Sequence, residues 1–395
     1  MTVQDKPIRV LYSFPQKLGA SRICFTAWHQ VSGIAEAGAE VTVFPASICK
    51  PVADNVKVEP TLARGQFRLP NRLLKGRSYF ALHDYIVARR LERMRGKIDI
   101  IHTWPLGCLR TLKTARKLGI PTVLERCNAH TRFAYTVVKA ECNRLGVALP
   151  PDHEHAYNND ILRQEEMEYE EAFRLLCPSD FVVKTFLDHN VPRNRLLRHI
   201  YGFDPQQFYA NEASPPEQRG LTMLSVGVNA VRKGLHFALE SWLQSPASES
   251  GRFLIVGDFL TAYRDRLAPM LAHPSVRVLG HRTDVPDLMR ASDILVLPSI
   301  EEGFGLVVAE AMASGAVPLI SDACTEICTH MYNGLVHRVG DVATLTEHIS
   351  LLDRDRTLLA RLRAAAIESS PCFTWAAAGR QLVEAYKQAV NSWPN

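Results

Sequence analysis

Features that would place this chain outside a reducing cell interior are scarce. Its nine cysteines (Cys24, Cys49, Cys108, Cys127, Cys142, Cys177, Cys324, Cys328 and Cys372) are odd in number and include no CxxC pair. That excludes a regular disulfide framework and leaves reduced, mostly buried thiols as the expectation. The first residues, Met1 to Pro7, hold no apolar stretch of the kind a secretory leader needs, so a cytoplasmic protein is expected. The longest nearly apolar run, Gly305 to Ile320, is interrupted by Glu310, Ser314 and Pro318 and is too short to cross a bilayer. His153-Glu154-His155 sets two imidazoles two residues apart, but no HExxH and no cysteine partner accompanies them. With no DxD at a strand end either, no metal and no cofactor is expected. No aromatic or glycine-rich RNA-binding motif is present, which argues against a nucleic-acid partner.

What is present fits a globular protein of about two domains: 395 residues, 47% hydrophobic and 22% charged. The net charge of +5 is unevenly placed. Between Arg64 and Lys97, ten basic residues face only Asp84 and Glu92, a local +8 that leaves the rest of the chain at −3. The helical part of this stretch, Tyr79 to Arg95, carries Phe80, Val87, Leu91 and Met94 near one side and arginines elsewhere. Such a pattern fits a solvated face, a helix resting on an anionic membrane surface, or a grip on an acidic acceptor.

Strand and helix patterns alternate along the chain. Ile8 to Phe14 reads as a strand, Lys17 to Ser21 as a glycine-containing loop, about Arg22 to Ala37 as a helix, and Val41 to Phe44 as the next strand. The cycle recurs at Ile98 to His102, Leu109 to Leu118 and Thr122 to Glu125. Asp204 to Gly220, with Pro205, Pro215 and Pro216, reads as a linker. Strands are then expected at Leu221 to Val226, Phe253 to Val256, Val276 to Leu279, Ile294 to Leu297 and Val317 to Ile320, with a last helix from about Trp375 to Val390. Alternation of this kind predicts an α/β fold of two Rossmann-like halves facing across a cleft, with ligands beyond the carboxyl ends of the strands. The expected domains are residues 1–206 together with 375–395, and residues 207–374.

One segment concentrates the chemistry. After the strand Ile294 to Leu297, a loop containing Glu302, Gly303, Phe304 and Gly305 leads into a helix that starts near Gly305 or Leu306 and stops at Gly315. The free N–H groups of that helix start suit a diphosphate, and the glycines allow close approach. Glu310 lies four residues after Leu306 on the same face, where a carboxylate can accept two hydrogen bonds from a ribose diol.

Glu302-x7-Glu310, with Gly303-Phe304-Gly305 after the first acid and Ala311-Met312-Ala313 and Gly315 after the second, resembles the signature of the retaining GT-B glycosyltransferases of family 4. The resemblance continues through Gly19, the run from Gly38 to Val43, Pro178-Ser179, Gly202-Phe203-Asp204, Val226-Gly227, Lys233-Gly234, Val256-Gly257, Leu279-Gly280 and Phe373-Thr374-Trp375. It implies a GT-B fold whose last helix crosses back to the first domain. It implies that Glu302 contacts donor-sugar hydroxyls, Glu310 the ribose, and backbone groups of Phe304 to Val307 (including Gly305 and Leu306) the diphosphate, with Gly303 also donor-binding. Lys233, helped by Arg232, would neutralise the leaving phosphate, Arg282 would frame the base, and Gly19, in the first-domain glycine loop, would also be donor-binding. The sequence departs from the family at Val228, where Arg usually follows the glycine. It departs again at Cys127 and Asn128, where a His is usual; His130 and Arg126 are the candidates for that acceptor side.

The reaction implied is metal-independent transfer of a sugar from a nucleotide-diphosphate donor, UDP- or GDP-linked, to a glycan, lipid-linked or small-molecule acceptor hydroxyl, at the cytoplasmic or inner membrane face. The alternatives are another GT-B enzyme, an epimerase or a phosphorylase, and a non-catalytic sugar-nucleotide-binding protein.

Overall fold

The computed structural model describes residues 6–64, 67–68, 76–211 and 219–394. The first-domain strands are β1 (Arg9–Leu18), β2 (Glu40–Ile48), β3 (Lys57–Val58), a two-stranded hairpin of β4 (Ala63–Arg64) and β5 (Phe67–Arg68), β6 (Ile100–Thr103), β7 (Thr122–Glu125), β8 (Arg174–Cys177) and β9 (Leu196–Arg198). The second domain contributes β10 (Thr222–Val226), β11 (Arg252–Val256), β12 (Val276–Gly280), β13 (Ile294–Leu297), β14 (Val317–Ser321) and β15 (Leu335–His337). Seven strands form one sheet in the order β3-β2-β1-β6-β7-β8-β9, and six form another in the order β12-β11-β10-β13-β14-β15. Apart from the β4–β5 hairpin, every pairing is parallel. Helices cover both faces, which is why the central strands are continuous apolar runs such as Ile294-Leu-Val-Leu297.

The expected two Rossmann-like halves are therefore present. β1 runs further than its apolar core: after an irregularity between Phe14 and Lys17 it pairs Lys17 with Ser47 and Leu18 with Ile48, so the expected loop begins at Gly19. Of the linker, residues 212–218, with Pro215 and Pro216, lie outside the described residues.

Two strands of chain cross between the domains side by side. Phe203 N–H donates to Phe373 O at 3.0 Å and Trp375 N–H to Phe203 O at 3.3 Å. A β-carbon on Gly202 would lie 2.4 Å from Trp375 N, so only glycine fits this crossing. The helix Trp375–Asn391, capped by Thr374, then lies back on the first domain. Its Gly379 abuts Gly33 of the helix Ile23–Glu36, and Tyr386 OH bonds His102 Nδ1 at 2.7 Å.

A second element ignores the boundary drawn from sequence. The helix Thr131–Leu145 belongs to the first domain, yet Val138, Cys142 and Leu145, with Val147 beyond it, join the core around Val231, Leu235, Tyr263 and Leu267. Its Glu141 Oε1 meets His236 Nε2 at 2.7 Å. Apolar burial of this kind, about 1.5–3 kcal/mol per large side chain, draws the domains together along one side of the cleft.

The basic stretch is rearranged relative to expectation. Its helix is Arg77–Leu91, followed by a 3-10 turn at Glu92–Met94. Val87 and Leu91 are fully buried against Leu11, Phe44, Ile98 and Ile101, with Met94 packed beside them and Phe80 half-buried. The apolar side expected to meet a membrane is thus taken up by the core. Arg77 pairs with Asp160 at 3.0 Å, and Arg90 donates to Glu59 O at 3.2 Å. Asp84 is buried and caps the helix Leu109–Leu118 through Arg110 N and Thr111 N at 2.7 and 2.8 Å. Arg89, Arg93, Arg95 and Lys97 remain exposed. Arg72, Lys75 and the side chains of Arg64 and Arg68 lie outside the described residues. Among the described residues, no helix is long and apolar enough to cross a membrane.

Candidate functional site

β13 delivers the chain into the 298–305 loop, which is laced to the turn before the helix Leu235–Gln244. Ile300 N–H donates to Arg232 O at 2.9 Å, and a β-carbon on Gly234 would lie 2.0 Å from Pro298 O. Ser321 Oγ donates to Ser299 O at 2.5 Å from the far side. Gly305, in the left-handed region at φ 72°, opens the helix Leu306–Ser314, and Gly315, at φ 82°, closes it. Among the described residues no side chain caps this helix start and no acid occupies its first turn, which leaves the positive end of the dipole uncompensated there. Phe304 is buried edge-on against Tyr201, with ring centroids 5.7 Å apart, which fixes the loop from below.

Five charged groups meet at this loop. Lys233 Nζ donates to Glu302 Oε2, and Arg232 Nη1 lies 3.4 Å from the same oxygen. Burial alone would raise the Glu302 carboxyl, but Lys233 and Arg232 hold it down at about 2. Arg232 Nη1 also donates to Glu301 O at 2.8 Å and stands 3.5 Å from Glu301 Oε2. Glu301 is fully buried; its Oε1 accepts the Ala129 N–H at 3.0 Å and its Oε2 lies 3.3 Å from His155 Nε2. Burial lowers the affinity of His155 for its proton, but Glu154 and Glu301 outweigh it and leave the net shift upward.

Glu310 is half-buried one turn into the helix. Burial, with no basic neighbour to oppose it, raises its carboxyl to about 7. Gly227 lies directly under Lys233: a β-carbon there would stand 3.9 Å from Lys233 Cε. Val228 is 46% exposed, so no side-chain charge stands at the position where the family carries Arg. Arg232, four residues on, is turned to Glu301 and Glu302. Arg282 is exposed at the carboxyl end of β12 and paired with Asp284 at 2.5 Å. Gly19, at φ 82°, ends β1, and a β-carbon on it would lie 2.6 Å from Lys50 Cβ.

The two acceptor-side candidates are buried in the first domain. His130 caps the helix Thr131–Leu145 through Arg132 N and stacks on His189 at 4.1 Å. Burial, with His189, Arg126 and Arg132 nearby, lowers it to about 3 and keeps it neutral. Arg126 reaches Glu165 Oε1 at 3.3 Å and lies over the Tyr169 ring at 4.5 Å. Both are buried rather than on open surface.

Sequence reasoning did not single out Glu301, His155 or Ser179 as partners in this site. Ser179 Oγ donates to Gly303 O at 2.6 Å, and a β-carbon on Gly303 would lie 1.7 Å from Cys127 O. The signal was Glu301, the acid directly before Glu302, and the His153-Glu154-His155 run.

Two family models match the chain: residues 26–203 fit the one described as Glycosyltransferase Family 4, and residues 220–355 the one described as Glycosyl transferases group 1. An N,N'-diacetylbacillosaminyl-diphospho-undecaprenol alpha-1,3-N-acetylgalactosaminyltransferase of Campylobacter jejuni is 41% identical over 86 residues, 21% of this chain and 23% of that protein. A D-inositol 3-phosphate glycosyltransferase of Stackebrandtia nassauensis is 30% identical over 152 residues, 38% of this chain and 30% of that protein. The matched stretches thus span a quarter to a third of these relatives. Among solved structures, Anabaena HepE in complex with UDP matches with a TM-score of 0.63 at 17% identity, covering 95% of this chain and 98% of that one. WaaG, a glycosyltransferase involved in lipopolysaccharide biosynthesis, matches with a TM-score of 0.64 at 16% identity and the same coverage. These structural likenesses concern the fold, which is GT-B.

Proposed function

Because this chain belongs to the glycosyltransferases of family 4, we propose that it transfers a sugar from a nucleoside diphosphate to an acceptor hydroxyl with retention at the anomeric carbon. The observation that carries this reading is the junction of Lys233 and Glu302 with the uncapped start of the helix Leu306–Ser314. A diphosphate there would meet backbone N–H groups and the Lys233 ammonium, while Glu302 lies within reach of sugar hydroxyls and Glu310 of a ribose diol. In the reaction the C1–O bond to the diphosphate breaks and the C1–O bond to the acceptor forms on the same face. The acceptor proton passes to the leaving phosphate oxygen, whose growing charge Lys233 and the helix start stabilise. The residues of this site need no metal for that step, because the positive potential is supplied by side chain and backbone.

UDP- and GDP-sugars are the proposed donors; the UDP bound to the structurally similar HepE supports the first. The relatives named for undecaprenyl-diphosphate and inositol-phosphate acceptors favour a phosphorylated or lipid-linked acceptor. A peripheral location at the inner membrane face would then rest on the exposed Arg89, Arg93, Arg95 and Lys97 and on charge alone, since the apolar side of that helix is buried. Sedimentation with anionic vesicles tests it: no binding even at low salt removes the membrane reading.

A thermal-shift screen against UDP-, GDP-, ADP- and TDP-sugars identifies the donor, and donor turnover is then measured for Glu302→Ala and Lys233→Ala. Loss of turnover with retained fold supports the assignment. Full activity in both variants sinks it, and binding without turnover by the wild type favours a non-catalytic sugar-nucleotide-binding protein.

A further inference from the structure

Glu301 is a second-domain carboxylate held chiefly by the first domain. Its Oε1 takes the Ala129 N–H at 3.0 Å, and its Oε2 faces His155 Nε2 at 3.3 Å. Within two residues, Ser179 Oγ bonds Gly303 O at 2.6 Å and Cys127 O closes over the α-carbon of Gly303. On its other side Glu301 meets Arg232, and the same guanidinium lies 3.4 Å from Glu302 Oε2. An unbroken run of charges therefore leads from the first domain to the donor loop: His155, Glu301, Arg232, Glu302, Lys233. None of these side chains is more than 19% exposed.

We propose that His155 and Glu301 are positioning residues that lock the two domains in the register where Glu302 and Lys233 face the acceptor side. This rests on the transferase reading of that site. The physical reason is desolvation. A buried carboxylate is costly unless it is paired, and loss of one partner of a buried pair is strongly destabilising. Separation of the domains strips Glu301 of Ala129 and His155 and leaves it Arg232 alone. The guanidinium, shared between two acids, then shifts toward Glu301 and away from Glu302. Closure and the charge balance at Glu302 are thus one event, transmitted through a single planar group with fixed donor directions. The pair lies outside the Glu302-x7-Glu310 pattern and touches neither the helix start nor Glu310, so donor binding and domain register are separable.

The test compares His155→Leu, which removes the donor to Glu301, with His155→Gln, which keeps an amide N–H at similar reach. Glu301→Gln, which keeps an acceptor for Ala129, serves as a second variant should His155→Leu fail to fold. The expected result is a fall of about tenfold or more in kcat for His155→Leu, with nucleotide Kd and donor KM within about twofold, and recovery to within about threefold in His155→Gln. Amide hydrogen exchange over residues 126–131 should quicken in His155→Leu and not in His155→Gln. Equal loss of nucleotide affinity and kcat, or a glutamine variant as impaired as the leucine one, overturns the proposal. If the wild type turns over no sugar nucleotide, the transferase reading fails, while the exchange and nucleotide-binding measurements still decide the positioning role.

Discussion

Lys233 and Glu302, 69 residues apart in sequence, share a hydrogen bond at the mouth of the second domain, on a carboxylate oxygen that Arg232 also approaches at 3.4 Å. The pair is nearly buried, with side-chain exposures of 19% and 9%. A charge removed from such a site leaves its partner short of compensation as well as removing its own chemistry.

Lys233→Met should therefore lower kcat by about 10²–10³, the usual effect of deleting one group that stabilises charge developing in a transition state. Lys233→Arg should recover only part of the loss, because a planar fork does not reproduce a point charge. Steady-state kinetics with the donor found by screening checks both. Equal kcat in wild type and Lys233→Met would remove the lysine from the mechanism.

The depressed Glu302 carboxyl makes a stability prediction in acid. Held at about 2 against an ordinary 4.5, it contributes stability that is complete above the ordinary value and is lost as pH falls toward 2. The full effect is about 3 kcal/mol at most. Urea unfolding of wild type and Glu302→Gln should show a gap at pH 6 that narrows steadily below pH 4.5. A gap that does not change with pH contradicts the pairing.

Glu310 behaves in the opposite sense. Raised to about 7 by burial, it is roughly half protonated at neutral pH. The ionised form is the better acceptor for a ribose diol. Affinity for a nucleotide sugar should thus tighten about five- to tenfold from pH 6 to pH 8 in the wild type and stay flat in Glu310→Gln. Calorimetry at the two pH values decides it, and parallel profiles for the two proteins exclude Glu310 from the ribose contact.

The loop and helix start around Glu302 and Glu310 were legible because their determinants are local. A buried strand, two glycines and a helix start lie within about twenty residues, and Gly305 and Gly315 bracket the helix as the sequence predicts. The junction was not legible because its partners are remote: His155 meets Glu301, and Ser179 meets Gly303, over separations that no periodicity encodes. Arg126 and His130 were the candidates for the acceptor side, yet both are buried, and the neighbouring Glu125 is fully buried among Gln30, His199 and Tyr201. Buried polar residues that satisfy one another look the same in sequence as residues waiting for a ligand. The basic helix was open to several readings for a related reason: the apolar side formed by Val87 and Leu91 faces β1 and β6.

Gly303 offers the sharpest test of the junction. Its backbone does not lie in the left-handed region, so an alanine there carries no conformational penalty of its own. The obstacle is entirely the other domain: the new β-carbon would stand 1.7 Å from Cys127 O and 2.8 Å from Cys127 C. Backbone cannot yield as a side-chain tip can, so the 127–130 segment must move away, taking the Ala129 N–H from Glu301. Gly303→Ala should therefore lose at least about a hundredfold in kcat through misplacement of the two halves, with a fall in nucleotide affinity that is small beside it. Gly305→Ala is the contrast. At φ 72° it pays about 1–2 kcal/mol of backbone strain at the helix start itself, so nucleotide affinity should fall with kcat. Kinetics and calorimetry on the two variants separate the roles, and a Gly303→Ala enzyme with wild-type kcat would show that the contact with Cys127 is not part of the working arrangement.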